Sequence, residues 1–175
     1  MAKRNIKIIC YITIGLFILL RFFFGTLDSL SYAVTLATFI DIAYDKFLWR
    51  FNPFEKTPRL YGTYDETSYS TYNGGYHYKA KAIIRQTLSS ITIYEEVDGS
   101  GYAESITAAL VKPSADGTWN LYYTYRTYPA ISDNDDMHEG TVILCVKSSS
   151  ELTGRYFTNR INPTQGNMHL VKKTK

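Results

Sequence analysis

The chain has only two cysteines, Cys10 and Cys145, in 175 residues. One lies in an apolar run and the other in a strand-like pattern, a usage that excludes a disulfide framework and a cysteine metal cluster. Histidine is equally scarce. His77, His138 and His169 fall on separate segments, and each is read as a surface or satisfied side chain rather than a base or ligand. No H-E-x-x-H, C-x-x-C, G-x-S-x-G or Walker-type run occurs. Gly99-Ser100-Gly101 is followed by a strand pattern, not a helix, so it is no phosphate cradle. The acidic run Asp133, Asn134, Asp135, Asp136 lacks the hinge glycine and terminal bidentate Glu of a calcium loop, and reads as solvated. With no catalytic constellation, no metal set and no cofactor motif, the chain is not read as an enzyme. Charged residues are 20 % and the formal net charge is +3. That balance does not make a general polyanion binder, so no DNA or RNA polymer is expected as partner.

What is present is apolar at the N-terminus and aromatic everywhere else. Ile6 to Leu20 is apolar or weakly polar apart from Lys7, and Arg21 is followed by Phe22, Phe23 and Phe24. A spanning helix needs about 20 mostly apolar residues, which this run nearly supplies if Arg21 snorkels. Gly25–Ser29 reads as a turn, and Leu30 to Phe47 as a second helix. The spacing therefore predicts two transmembrane helices over about 6–24 and 30–48, within a segment 1–50, then a juxtamembrane connector over 51–58. Lys3, Arg4 and Lys7 precede the first run, while Lys46, Arg50, Lys56 and Arg59 follow the second. The positive-inside rule then puts both termini in the cytoplasm. Ala33 and Ala37 are small residues on one helix face, suited to close packing between hairpins. Asp41 lies about 6 Å deeper than Asp45 at helical rise, and a carboxylate there faces protein or water rather than lipid, which suggests a self-association face.

From Leu60 the period becomes two. Strand patterns run over Leu60–Tyr72, Tyr76–Thr87, Ser89–Val97, Tyr102–Lys112, Thr118–Tyr128, His138–Lys147, Leu152–Arg160 and Gly166–Lys173. Turn signals such as Asn73-Gly74-Gly75 separate them. Consecutive antiparallel strands in this number favour an eight-stranded antiparallel up-and-down β-barrel, lipocalin-like, over 59–175. The fold class is thus an α+β membrane protein: a two-helix hairpin followed by a cytoplasmic barrel. Leu60-Tyr61-Gly62-Thr63-Tyr64 and Leu152-Thr153-Gly154-Arg155-Tyr156 share a pattern in which glycine relieves crowding where the sheet bends.

Lys79 and Lys81 belong in water, so Ala80, Ala82, Ile84 and Gln86 face inward by alternation. The same logic turns Leu60, Gly62, Tyr64, Leu121, Tyr123, Tyr125, Leu152, Tyr156 and Thr158 inward. A small barrel can fill its interior or hold one ligand. The mixture of tyrosines with Gln86, Ser89, Thr158 and Arg160 favours a ligand pocket. A lipocalin-like sensor of an apolar molecule or lipid is the alternative, and a purely structural oligomerising barrel is a third.

Tyr44-Asp45-Lys46-Phe47-Leu48-Trp49-Arg50-Phe51-Asn52-Pro53-Phe54, Gln86–Ser90, Leu121–Tyr125, His138-Glu139-Gly140-Thr141 and Leu152–Thr158 together resemble one group. That group is the CD-NTase-associated two-transmembrane β-barrel effectors of bacterial anti-phage CBASS systems. The resemblance implies a bacterial inner-membrane protein whose barrel binds a cyclic dinucleotide made by a partner CD-NTase. It also implies homo-oligomerisation on activation, disruption of the inner-membrane lipids and death of the infected cell. The candidate ligand contacts rest on alternation and chemistry: Tyr64, Gln86, Ser89, Tyr123, Tyr125, Tyr156, Thr158 and Arg160. Tyrosine faces stack bases, and an Arg at a barrel mouth pairs a phosphate.

Overall fold

The computed structural model describes residues 2–97, 99, 101–112, 117–130 and 137–173, the side chains of residues 2–7 and 73 excepted. The acidic run Ser132–Asp136, most of the turn at Pro113–Gly117, Asp98, Ser100 and the last two residues lie outside the described residues. The chain divides into two units, Met1–Lys56 with Thr87–Ser89, and Thr57–Gln86 with Ser90–Lys175.

The first unit is a helical hairpin. Helix α1 spans Ala2–Leu20 and α2 spans Thr26–Lys46. The turn falls four residues earlier than the sequence suggests. Arg21–Phe24 close it with backbone bonds, and Gly25 is the N-cap of α2. Thr26–Ser29 are helical because Ser29 N–H already donates to the Gly25 carbonyl. The buried residues of α2 are Ser29, Ala33 and Ala37. The stripe expected to serve contact between hairpins is thus covered within a single chain, where small side chains let α2 pack on α1. Asp41 continues the same row, every fourth residue, and is half-buried. Among the described residues no helix is long and apolar enough to cross a membrane; α2 carries Asp28, Asp41 and Asp45 besides its serines and threonines.

The connector is ordered by local bonds. Leu48–Phe51 form a 3-10 turn with Trp49 fully buried, Asn52 Nδ2 donates to the Tyr44 hydroxyl at 2.7 Å, and Phe54 N–H donates to Asn52 Oδ1 at 3.0 Å.

The second unit is the closed barrel expected from the period-two pattern. Strands β1 (Gly62–Ser70), β2 (Tyr76–Gln86), β3 (Ile91–Val97), β4 (Gly101–Val111), β5 (Asn120–Pro129), β6 (Glu139–Ser148), β7 (Glu151–Thr158) and β8 (Gln165–Lys172) follow in chain order. All neighbours are antiparallel and β8 closes on β1, with Ser68 opposite Met168. Closure leaves no free edge. The inward set is the one alternation assigns: Tyr64, Ala80, Ala82, Ile84, Gln86, Leu121, Tyr123, Tyr125, Leu152 and Tyr156 are buried. Strand β4 is the irregular wall. A bulge between Ser105 and Thr107 breaks its pairing with β5, and the Ser105 hydroxyl takes the Ile93 N–H at 2.9 Å.

One barrel end is plugged. Leu60, Ile84, Ile93, Leu121, Leu144, Leu152 and Leu170 form an apolar cluster there, each side chain contributing about 1.5–3 kcal/mol by burial. The lead-in to β1 is tied to it: Leu60 N–H donates to Gln86 Oε1 at 2.7 Å and Gln86 Nε2 donates to the Pro58 carbonyl at 2.8 Å. The Tyr64 hydroxyl shares its proton between the Leu60 and Ser149 carbonyls, both at 2.9 Å.

The paired glycines work differently from one another. Gly62 sits at φ +139°, where side chains are rarely tolerated, whereas a Cβ on Gly154 would overlap the Ile143 carbonyl of β6. Gly154→Ala is therefore expected to destabilise the chain by about 1–3 kcal/mol through overpacking. A Cβ on Gly15 meets nothing within 4 Å, which makes Gly15→Ala the control. Chemical denaturation of the full chain checks this; equal midpoints for the two variants would refute it.

A polar aromatic cavity at the open barrel end

The end opposite the plug gathers the β1–β2, β3–β4, β5–β6 and β7–β8 connections. There a cavity of about 220 Å³ enters the lumen, lined among others by Ser70, Tyr72, Tyr76, Tyr78, Glu95, Tyr102, Tyr125, Thr127, His138, Tyr156, Thr158, Arg160 and Thr164. The strands contribute inward positions near these turns. Tyr and Thr populate them because these residues fit a pleated surface and bring a polar tip.

The mouth is cationic. The Arg160 guanidinium lies over the Tyr72 ring at 4.5 Å. Its Nη2 donates to His138 Nε2 at 3.3 Å, which places the histidine proton on Nδ1 in this arrangement. His138 also stands edge-on to Tyr125, with centroids 6.4 Å apart. Thr158 and Thr164 hydroxyls bond each other at 2.9 Å, and Thr164 N–H donates to Thr158 Oγ1 at 2.9 Å, fixing the β7–β8 loop that carries Arg160.

The floor is acidic. Glu95 on β3 lines the cavity, and its Oε1 accepts the Tyr123 hydroxyl at 2.5 Å. Beside it Glu66 of β1 is 2 % exposed; Ser68 Oγ donates to its Oε1 at 2.6 Å, while Oε2 is buried with no hydrogen-bond partner among the described residues. Burial raises the Glu66 carboxyl well above the ordinary carboxylate range, and the neighbouring Glu95 charge raises it further. Burial also raises Glu95, against the opposing pull of the Tyr123 hydrogen bond. Two carboxyls so close in low dielectric do not both ionise. The phenols of Tyr78, Tyr123 and Tyr125 are likewise raised by burial and by the glutamates, so they remain neutral donors.

The structure brings together four of the eight sequence-derived candidates, Tyr125, Tyr156, Thr158 and Arg160, in this cavity. Tyr123 lies beneath it, holding Glu95. The remaining three are elsewhere. Tyr64 and Gln86 are inward as alternation requires, but they bond the lead-in segment at the plugged end. Ser89 lies in the Thr87–Ser89 turn of the first unit, where its N–H donates to Asp45 Oδ1 at 2.8 Å and Leu88 N–H donates to the Asp45 carbonyl at 3.0 Å. Alternation names a face but not a depth, and depth separates Tyr64 and Gln86 from the cavity; Ser89, expected at the start of a strand, is exposed in the turn before β3, which begins at Ile91. Glu95, Glu66 and His138 are not among the sequence-derived candidates. The glutamates carried a signal, since both stand in phase with inward positions, Glu66 two residues after Tyr64 and Glu95 two after Ile93. His138, read as a surface or satisfied histidine, is a cavity-wall residue.

The model of the Cap15 cyclic dinucleotide receptor domain matches residues 55–172. The chain is 34 % identical over 153 residues to "CD-NTase-associated protein 15" of Staphylococcus schleiferi, covering 85 % of this chain and 81 % of that protein.

The buried carboxyls have a consequence for stability. A carboxyl whose folded pKa is raised binds protons in the folded state that the unfolded state has released, so stability falls as pH rises from the ordinary value near 4.5 through the raised folded value. The full chain is expected to be more stable at acidic than at alkaline pH across that window. Glu66→Gln removes the charge and should flatten the dependence. Denaturation midpoints at several pH values check it; a wild-type profile rising with pH would refute it.

Proposed function

The chain belongs to the Cap15 family of CBASS effectors, and on that premise we propose that its barrel binds a cyclic dinucleotide in the open-end cavity and passes that event to the helical hairpin. One observation carries the ligand reading. A lumen filled mainly by leucine and isoleucine at one end turns polar and aromatic at the other, with Arg160 and His138 at the mouth and Tyr125 and Tyr156 on the walls. A cyclic dinucleotide presents flat bases and two phosphate charges. Tyrosine faces suit the bases and the guanidinium suits a phosphate. A lipid tail would bury these polar groups without partners, at a cost, so the apolar-sensor reading is the weaker one. The role is one of binding rather than catalysis.

The hairpin is the proposed output. Large apolar side chains stand exposed on both helices and in their turn, including Ile14, Ile18, Phe22, Leu27 and Phe39. An apolar surface this extensive calls for a partner. Bacterial inner-membrane lipid is the proposed one, with the hairpin entering the bilayer and both termini on the cytoplasmic side, as the flanking Lys and Arg favour. A ligand shifts a conformational equilibrium only by its differential affinity for the two states. The liganded barrel is therefore proposed to favour barrel–barrel contact, gathering hairpins into an assembly that disrupts the membrane and kills the infected cell. Because Ala33 and Ala37 are covered within one chain, association between hairpins falls to the outer apolar faces.

Calorimetry on the full chain in mild detergent tests the ligand reading. Cyclic dinucleotides should bind and a fatty acid should not; the reverse result would install the apolar-sensor reading. Tyr125→Ala and Tyr156→Ala should each weaken binding by about 1–3 kcal/mol if the ring stacks a base, and Arg160→Ala should weaken it with a reduced salt dependence. In cells making the nucleotide, replacing 48–56 with Gly/Ser residues should abolish entry of a membrane-impermeant dye while leaving binding intact. Undiminished dye entry would overturn coupling through an ordered connector.

A further inference from the structure

Glu95 has no evident structural reason to be a carboxylate. Burying an ionisable carboxyl is costly unless it is well satisfied, and an ionised carboxylate accepts about four hydrogen bonds. Here the Tyr123 hydroxyl is its donor, at Oε1. Glutamine in the same place would accept that bond without the charge. The neighbours show that space has been left around the carboxyl instead. Across the sheet Glu95 stands opposite Ala82 of β2 and Ala103 of β4, both inward and buried. Two methyl groups flank it where larger side chains would close the lumen, and Glu95 forms part of the cavity floor.

The cavity is also polarised along its axis. Glu66 and Glu95 lie deep, while Arg160 sits at the mouth over Tyr72. A phosphate driven to the floor would meet carboxyls in low dielectric, whereas at the mouth it meets a guanidinium. A ligand carrying both bases and phosphates is thereby oriented with a base inward. Between floor and mouth stand the rings of Tyr125 and Tyr156, which offer faces to a base entering edge-first.

Resting on the nucleotide reading above, we propose that Glu95 is the base-reading residue of this cavity: its carboxylate accepts the ring N–H of a lactam base, guanine or uracil, while the phosphates stay at Arg160. Guanine N1–H and uracil N3–H are donors on the Watson–Crick edge. Adenine N1 and cytosine N3 are acceptors, and set against a carboxylate they leave two lone pairs facing each other. In guanine the adjacent N2–H adds a second donor, which fits the two-oxygen geometry. Tyr123 acts through Glu95 as a positioning residue, because its hydroxyl takes one lone pair of Oε1 and leaves the other, with those of Oε2, for the occupant.

The experiment measures affinities of the full chain for cyclic di-GMP, cyclic di-UMP, cyclic di-AMP and cyclic GMP-AMP. It compares wild type with Glu95→Gln, Tyr123→Phe and Arg160→Ala. In wild type the guanine- or uracil-containing ligands should bind at least tenfold tighter than cyclic di-AMP. Glu95→Gln is nearly isosteric and presents a donor as well as an acceptor, so it should level or reverse that ratio. Tyr123→Phe should shrink the ratio, and Arg160→Ala should weaken every ligand while leaving the ratio unchanged. A wild-type preference for cyclic di-AMP, or a ratio unmoved in Glu95→Gln, overturns the base-reading role and leaves nucleotide binding standing. Binding of none of the four by wild type overturns the nucleotide reading itself. Should Glu95→Gln fail to fold, by circular dichroism, the Tyr123→Phe ratio decides.

Discussion

Closure of the sheet is the constraint from which the rest follows. Once β8 pairs with β1 there is an inside, and a period of two obliges every strand to send alternate residues into it. The ladders between neighbouring strands take up most of the backbone hydrogen bonding, so the energetic question passes to the side chains. At the plugged end the answer is hydrocarbon, with Leu60, Leu121, Leu144, Leu152 and Leu170 meeting across the lumen. At the open end the same alternation delivers hydroxyls, carboxyls and a guanidinium. The barrel is therefore one structure with two solutions to burial, and stability is concentrated at the end where the ligand is not proposed to bind.

That division explains the placement of the polar residues. Gln86 and Tyr64 are polar and buried, yet they complete backbone bonds of the Pro58–Leu60 lead-in, which would otherwise carry unmet donors and acceptors into the plug. Glu66 and Glu95 satisfy no backbone group in the same way. They occupy the boundary between hydrocarbon and cavity, where burial raises both carboxyls above the ordinary carboxylate range. Polar groups that serve structure and polar groups available to a ligand thus differ in whether their hydrogen bonds are already spent.

The hairpin obeys a different economy. Its buried row of Ser29, Ala33 and Ala37 is small, which brings α2 close to α1 and turns the bulky apolar side chains outward. A hairpin of this kind gains little from its own interior and presents most of its apolar surface to whatever surrounds it. The turn after α2, with Trp49 buried and Asn52 bonded to Tyr44, has a defined local structure.

The sequence by itself determined the number of strands, their order, the hairpin ahead of them and the face of most strand residues, because these follow from local periodicity and turn chemistry. Lys79 and Lys81 outward and Ala80, Ala82, Ile84 and Gln86 inward were legible that way. Only the tertiary structure decided depth. Whether an inward tyrosine meets a backbone carbonyl, a carboxylate or the cavity depends on the register across strands far apart in the chain. That register put Tyr64 in the plug, Tyr123 under Glu95 and Tyr125 in the wall. It also placed Glu95 between two alanines from separate strands, a juxtaposition with no local signature, because long-range pairing and not nearest-neighbour preference brings those three residues side by side.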